Sequence, residues 1–142
     1  MTTAVLNRDQ FKFAIRAAFV NDNRIYSLYC PHVEVGSVDD IVDDIATRIN
    51  NDVPKAVIKG VFEKSELIGY YVYYNKMLIS FALNIKYRNR KYLKEFWSKI
   101  RSDLKGSFQC YLWSVNQRGW RWLCKMGMKI VAQDHLLTHL NY

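Results

Sequence analysis

Basic side chains gather in one part of this sequence, at a place where they could hold an anion. The segment 86–105 contains eight Lys or Arg residues and two acidic ones. It opens with the basic turn 87–90, and the apolar spacing of an amphipathic helix follows. The first N–H groups of a helix lack intrahelical partners and lie at the positive end of the helix dipole. A helix start beside basic side chains is suited to a phosphate or pyrophosphate group.

The charge of the chain is unevenly distributed. Residues 1–85 carry nine Lys/Arg and ten Asp/Glu, whereas residues 86–142 carry twelve and three, within a net charge of +8. A basic half predicts a polyanionic partner, which is nucleic acid, an acidic protein surface or a phosphate-rich cofactor. The alternative is a solvated basic face that keeps the protein in solution.

Other reactive residues do not form a recognisable site. Cys30, Cys110 and Cys124 are odd in number and lack Cys-x-x-Cys spacing, so that neither a disulfide framework nor a zinc site is predicted. The histidines are equally scattered. Four aspartates between positions 39 and 44 open a predicted helix, where the helix dipole favours anions, and we interpret them as a solvated face. No metal site is expected.

The length and composition predict one folded domain, 1–142. Half of the residues are apolar, 15% are aromatic, and only two prolines and six glycines are present, without a linker-like stretch. The apolar runs are far shorter than the roughly 20 residues of a membrane-spanning helix. The N-terminus lacks the pattern of a secretory signal. We therefore expect a cytoplasmic protein without a membrane partner.

The first 55 residues are predicted to be helical. Asn7 and Gln10 form a capping-box pattern that opens a helix through about Val20, and Ser37 and Asp40 open a second one. A loop over 21–35 separates the two helices.

The segment 56–140 is predicted to form a sheet with further helices. Its β-branched and aromatic residues indicate an antiparallel meander, which a helix, a strand, a helix and two strands then follow. The predicted elements are the strands Ala56–Lys64, Leu67–Tyr74 and Met77–Lys86, the helix Lys91–Leu104, the strand Phe108–Val115, the helix Gln117–Met126, and the strands Lys129–Ala132 and His135–Leu140.

Two segments resemble the GNAT (N-acetyltransferase) superfamily. They are LNIKYRNRKYL at 83–93, a strand with a basic turn and a helix, and LWSVNQRGWRWLCKMGM at 112–128, a strand followed by Asn, a short helix, Lys and Gly. The resemblance covers roughly residues 56–140. It implies an α/β (α+β) fold with a mostly antiparallel sheet of about six strands and about four flanking helices, in which the family's first strand is shortened or missing.

The resemblance also implies a cofactor, acetyl-CoA, and a place for it. The pyrophosphate would lie on the turn Arg88–Leu93, and the strands Met77–Lys86 and Phe108–Val115 would splay to admit the pantetheine arm. The residues that correspond to the family's cofactor site are Leu83, Ile85, Arg88, Asn89, Arg90, Lys91, Tyr92 and Asn116.

Several positions depart from the family's pattern. Lys91 and Leu93 replace the small residues of the Gln/Arg-x-x-Gly-x-Gly/Ala turn, where glycine lets the backbone approach the phosphates. Leu123, with Cys124 next to it, takes the position of a Tyr that often protonates the departing thiolate. The strand at 77–85 has no Asp or Glu to deprotonate an amine. The catalytic residues are therefore left unassigned, with His32, Glu34 and Tyr87 as the remaining candidates.

Three functions stay open. The first is an acetyl-CoA-dependent N-acetyltransferase that acts on an amine of a small molecule or a protein. The second is a GNAT-like binding or structural module without catalysis, such as a virion or host-interaction component, because the chain resembles small GNAT-like proteins of tailed bacteriophages; its location would then be the host cytoplasm or the virion. The third is nucleic-acid binding, in which basic residues near 86–94 would combine with aromatic rings such as Trp113, Trp120 and Trp122.

Overall fold

The computed structural model describes residues 1–25 and 36–142. The helices of this part are α1 (Arg8–Phe19), α2 (Val38–Asp52), α3 (Arg90–Asp103) and α4 (Gln117–Lys125). The strands are β1 (Thr2–Val5), β2 (Val57–Glu63), β3 (Glu66–Tyr74), β4 (Met77–Leu83), β5 (Gln109–Trp113), β6 (Lys129–Gln133) and β7 (Leu137–Asn141).

The strands form one sheet in the order β1-β2-β3-β4-β5-β7-β6. Every neighbouring pair is antiparallel except β4 and β5, which run parallel. This confirms the predicted class, a mostly antiparallel sheet with helices around it.

The sheet has seven strands where about six were expected, because the first strand, expected to be shortened or missing, is present as the short β1 of four residues. It pairs with β2 from Thr2, opposite Phe62, to Val5, opposite Lys59. Four residues are too few to show a period of two, and three of them are exposed, so that backbone pairing rather than side-chain burial defines this strand.

The predicted helix starts are confirmed by their caps. The side chains of Asn7 and Gln10 form the reciprocal bonds of a capping box before α1, and those of Ser37 and Asp40 do the same before α2. Each pair satisfies two backbone donors that the helix itself leaves without partners.

The sheet has a separate core on each face, and the neighbouring residues Tyr70 and Tyr71 are buried on opposite faces because side chains alternate along a strand. One core joins α1 and α2 to the sheet, and the other joins α3 and α4 to it. The first contains Phe11, Ile15, Ile41, Ile45, Ile58 and Tyr70. The second contains Tyr71, Leu78, Phe96, Trp97, Ile100, Leu123 and Leu140.

The strand predicted at Met77–Lys86 ends earlier, at Leu83, and Ile85–Tyr87 form a 3-10 turn. Asn84 explains the difference. Its side chain accepts a hydrogen bond from the N–H of Lys86 (3.0 Å) and donates one to the carbonyl of Ala17 at the end of α1 (2.8 Å). No helix in the described ranges is long and apolar enough to cross a bilayer.

Candidate functional site

The strands β4 and β5 separate soon after they meet. They pair only at Met77 with Gln109 and at Leu78 with Cys110. Beyond these pairs β4 continues to Leu83 and β5 to Trp113, and a wedge-shaped gap opens between them. We call it the β4–β5 gap; it lies where the resemblance implied that the strands would splay.

The main chain of β4 presents polar groups to this gap. The N–H of Asn84 donates to the carbonyl of Ile68 in β3 (2.7 Å), so that the polar groups of alternate residues point towards β3. Those of Phe81 and Leu83 therefore point away from β3 and towards the gap. Consistent with this, the carbonyl of Leu83 accepts a hydrogen bond from Nε of Arg88 (2.6 Å) instead of from a strand.

Helix α3 begins close to this end of β4. Its cap is Asn89, whose side chain accepts from the N–H of Tyr92 (3.2 Å). The N–H groups of Arg90 and Lys91 belong to the first turn and have no intrahelical acceptor. Both side chains are exposed, and Lys91 Nζ lies 5.4 Å from the ring of Tyr92. Leu93 is half-buried and packs against the core under α3.

Arg88 has interior partners. Its guanidinium pairs with Asp22 at 2.6 Å, and the Asp22 side chain is only 6% exposed. Burial alone would raise the pKa of Asp22, but the charge and hydrogen bonds of Arg88, with help from Arg24, outweigh it and hold that pKa below its ordinary 3.8. Arg88 thus ties the turn before α3 to the residues that follow α1.

The other members of the expected cofactor site surround the end of β4. Leu83 is buried and Ile85 is exposed. Tyr92 contacts Tyr87 edge to face, with ring centroids 5.0 Å apart, and the Tyr87 hydroxyl donates to Glu66 (3.3 Å). Tyr87, a candidate for catalysis, is therefore engaged with Glu66.

Asn116 lies at the matching place after β5. It caps α4, and its side chain accepts from the N–H of Gly119 (3.0 Å). A Cβ atom at Gly119 would lie 2.6 Å from the Asn116 amide, so that this cap requires glycine. Since parallel strands end on the same edge of a sheet, the starts of α3 and α4 lie on the same side of the molecule.

The position of the family's usual Tyr is inside the core. Leu123 is fully buried, and Cys124 packs against the same cluster as a half-buried free thiol. Leu123 has no proton to donate, so that the position of the family's usual Tyr holds no general acid. The candidates His32 and Glu34 lie outside the described residues.

A cavity of about 210 Å³ lies on the opposite face of the sheet, between α2 and the β4–β5 gap. The sequence analysis missed it. The available signals were a serine within the apolar strand β4 and Asp44, Arg48 and Asp52 on one helix face, but nothing in the sequence paired these elements. The lining residues are Asp44, Ile45, Arg48, Ile49, Asp52, Val53, Ile79, Ser80 and Trp113.

Two hydroxyl groups meet at the wall of this cavity. Tyr70 Oη lies 3.0 Å from Ser80 Oγ. Burial raises the pKa of Tyr70 to about 12, although its bond to Ser80 acts in the other direction. Tyr70 therefore stays protonated at neutral pH and keeps Ser80 oriented.

Of the tryptophan rings, Trp97 is buried, and Trp113, Trp120 and Trp122 are half-buried. Trp122 stacks on Phe96 (6.0 Å between centroids) and meets Trp97 edge to face (5.7 Å), while Trp120 donates to the carbonyl of Ser114 (3.0 Å). Rings held in this way do not form an exposed platform for stacking bases. Among residues 1–25 and 36–142, no three His, Cys, Asp or Glu side chains gather to hold a metal.

No family model and no curated protein sequence matches this chain. Solved structures do. An acetyltransferase from Thermus thermophilus is 14% identical, with a TM-score of 0.74 over 100% of this chain and 97% of that one. The PaiA N-acetyltransferase from Thermoplasma acidophilum, in complex with coenzyme A, is 17% identical, with a TM-score of 0.64 over 99% and 98%. The putative acetyltransferase YncA from Salmonella typhimurium, with acetyl-CoA, is 12% identical, with a TM-score of 0.60 over 99% and 92%. These likenesses confirm the expected acetyltransferase-like fold.

Proposed function

We propose that the protein is an acetyl-CoA-dependent N-acetyltransferase that acts on an amine. One observation carries the proposal: the β4–β5 gap opens at the point where α3 presents free N–H groups and exposed basic side chains. Two of the similar structures, at low identity, were solved with coenzyme A or acetyl-CoA. The likeness in fold to these two structures supports the same kind of ligand for this chain.

The described residues fit such a ligand. The N–H groups and side chains of Arg90 and Lys91 would bind its phosphates, since a helix start favours negative charge. The main-chain groups of Phe81 and the N–H of Leu83 would bind its amide-containing arm. Leu93 packs against the core, and the exposed side chain of Lys91 would contact the phosphates directly.

When bound, acetyl-CoA supplies an acetyl group activated as a thioester. The protein's part is to position the amine and to stabilise negative charge on the carbonyl oxygen. N–H groups of β4 that face the gap are preorganised donors for this purpose, and they need no reorganisation during the reaction. Ser80, held by Tyr70, adds a hydroxyl on the acceptor side.

A second candidate is a module with this fold that binds partners but does not catalyse. The identity of Leu123 favours it, because a leucine side chain has no proton to donate to a departing thiolate. The proposed enzyme must instead rely on positioning and on proton exchange with water. The cytoplasmic or virion location and the resemblance to bacteriophage proteins stay predictions.

Calorimetric titration with acetyl-CoA tests the proposal. We expect micromolar binding that weakens about tenfold in an Arg90→Gln, Lys91→Gln variant, because charged hydrogen bonds to phosphate are lost. The matched control is Lys105→Gln, Lys125→Gln, which removes the same charge at exposed positions away from the start of α3 and leaves the affinity within about twofold. No binding at millimolar acetyl-CoA would overturn the proposal and favour the non-catalytic module.

A further inference from the structure

We propose that Asp22 is a positioning residue for the amide-containing arm of acetyl-CoA and that it acts through Arg88 on the end of β4. This rests on the proposed function, since the arm must lie in the β4–β5 gap. The contacts run from the Asp22 carboxylate to the Arg88 guanidinium, and from there to the carbonyl of Leu83. A residue that follows α1 thus fixes the edge of the gap.

Asp22 is itself held firmly. Its N–H donates to the carbonyl of Phe19 (3.1 Å), and its carbonyl accepts from the N–H of Ile25 (3.3 Å), whose side chain is buried. The Asp22 side chain is only 6% exposed; its Oδ1 accepts from Nε of Arg24 (3.2 Å), and its Oδ2 pairs with Arg88 (2.6 Å). Because both oxygens have donors, the carboxylate is held in one orientation and presents Oδ2 to Arg88.

Arg88 divides its donors between Asp22 and the main chain. Its Nε donates to the carbonyl of Leu83 (2.6 Å), and its Nη1 lies 2.6 Å from Oδ2 of Asp22. Because the guanidinium is planar and its donors have fixed directions, the two contacts together determine its orientation. The Arg88 side chain is 26% exposed, so that without Asp22 it would regain the rotamer freedom of a long side chain in contact with water. Asp22 therefore keeps Arg88 on the Leu83 carbonyl.

The Leu83 carbonyl belongs to the edge of β4 that faces the gap. The N–H of Asn84 points the other way, to the carbonyl of Ile68 in β3 (2.7 Å). The N–H and the carbonyl of one residue in an extended strand point to the same side, so that a contact that holds the carbonyl also restricts the N–H. With its carbonyl bonded to Arg88, Leu83 offers its N–H to the arm. Asp22 thus sets, through Arg88, the direction of a donor for the arm.

The start of α3 has supports of its own. The Asn89 side chain caps the helix through the N–H of Tyr92 (3.2 Å), and Tyr92 packs against the core under α3. The donors of Arg90 and Lys91, which would bind the phosphates, follow this cap. A change at Asp22 should therefore affect binding of the arm and not binding of the phosphates.

Calorimetry with two probes tests this inference: acetyl-CoA, and ADP, which carries a pyrophosphate without the arm. We expect Asp22→Asn to weaken acetyl-CoA binding about fivefold and to leave ADP binding within about twofold, because a hydrogen bond to the arm is lost and the phosphate contacts are kept. Arg90→Gln with Lys91→Gln should instead weaken both probes. A loss of stability alone lowers the folded fraction and weakens both probes by the same factor, so that the ratio of the two affinities reports position.

Asp103→Asn is the matched control. It changes a half-buried carboxylate that accepts from the Tyr71 hydroxyl (2.6 Å) at the other end of α3, and it should leave both affinities within about twofold. A double-mutant cycle shows whether Asp22 acts through Arg88. In an Arg88→Met background, which has no donor for the Leu83 carbonyl, Asp22→Asn should have no further effect on acetyl-CoA binding.

Three results would overturn the inference while the proposed function stands. They are an unchanged affinity for acetyl-CoA in Asp22→Asn, an equal weakening of acetyl-CoA and ADP, and an Asp22→Asn effect that persists in the Arg88→Met background. If the unmodified protein does not bind acetyl-CoA, the proposed function fails and this inference fails with it.

Discussion

The two sides of the β4–β5 gap differ in charge. On the side of α3, Arg90 and Lys91 are exposed at a helix start that favours anions. On the side of α2, Asp44, Arg48 and Asp52 line a cavity whose charged residues sum to −1. An anionic ligand is therefore favoured on the α3 side of the gap and not on the α2 side.

The difference follows from the order of the chain. Residues 1–85 have a net charge of −1 and supply α1 and α2, whereas residues 86–142 have a net charge of +9 and supply α3 and α4. Because the two helix pairs cover opposite faces of the sheet, the uneven charge along the sequence becomes a difference between the faces. A basic half therefore does not require a nucleic-acid partner.

The largest expected effect comes from a change in the wall that both sides share. A Cβ atom at Gly69 would lie 2.4 Å from the carbonyl oxygen of Ala82, and β3 and β4 would have to separate at the end that faces the gap. We expect Gly69→Ala to lower the free energy of unfolding by about 3 kcal/mol and to weaken binding of acetyl-CoA. Urea denaturation and calorimetry measure these effects.

Gly60→Ala is the matched control in the neighbouring strand. There the added methyl group would meet the flexible Leu6 side chain at 2.9 Å, which can move away at lower cost than a backbone atom. Gly60→Ala should lower the free energy of unfolding by less than half as much and leave the affinity for acetyl-CoA unchanged. If Gly69→Ala also left that affinity unchanged, the end of β4 would not be part of the acetyl-CoA site.

Most of the fold could be predicted because local patterns determine it. The capping boxes at Asn7 and Ser37 and the alternating strands of the meander depend on near neighbours in the sequence, and the structure has them in place. β1 was the exception, because its four residues are defined by hydrogen bonds to β2 that no side-chain pattern reports.

The site was harder to predict, because its residues are distant in sequence. The basic turn before α3 was visible as a run of charges, but the partner of Arg88, Asp22, is 66 positions earlier and carries no motif. The cavity likewise combines α2 with β4 and β5, and only the packed structure shows that Asp44 and Trp113 line the same space.

The next largest effect concerns the ion pair that links the two faces. Asp22→Asn removes the charged partner that lies 2.6 Å from the Arg88 guanidinium. It should lower the free energy of unfolding by about 2 kcal/mol at neutral pH. The loss is limited because Arg88 keeps its hydrogen bond to the Leu83 carbonyl and some contact with solvent. The pKa of Asp22 is lowered in the folded state. The stability that the ionised Asp22 provides is therefore fully present above its ordinary pKa of 3.8 and is lost as the pH falls through the folded-state pKa.

Denaturation between pH 7 and pH 2 measures this difference. The difference in the free energy of unfolding between the unmodified protein and Asp22→Asn should be constant above about pH 5. It should become smaller below the ordinary carboxyl pKa. Arg24→Gln is the control, because it removes the more exposed of the two partners, at 3.2 Å, and leaves the Arg88 pair in place. If this difference in the free energy of unfolding stayed the same in acid, the ion pair between Asp22 and Arg88 would not be its source.

The smallest effect concerns the start of α3. Asn89→Ala removes the bond to the Tyr92 N–H, and should lower the free energy of unfolding by about 1 kcal/mol, as cap removal usually does. The first turn would fray, and acetyl-CoA binding should weaken by a few-fold. Thermal unfolding and calorimetric titration with acetyl-CoA measure these outcomes.

Ser37→Ala removes the equivalent cap from α2, on the acidic side, and is the control for fraying as such. Its cost in stability should be similar, but acetyl-CoA should bind as before, because the phosphates would contact α3 and not α2. If the two variants weakened acetyl-CoA equally, loss of general stability would explain both results. If only Asn89→Ala did so, the effect would belong to the helix start beside the gap, and the two sides would be separable by single substitutions.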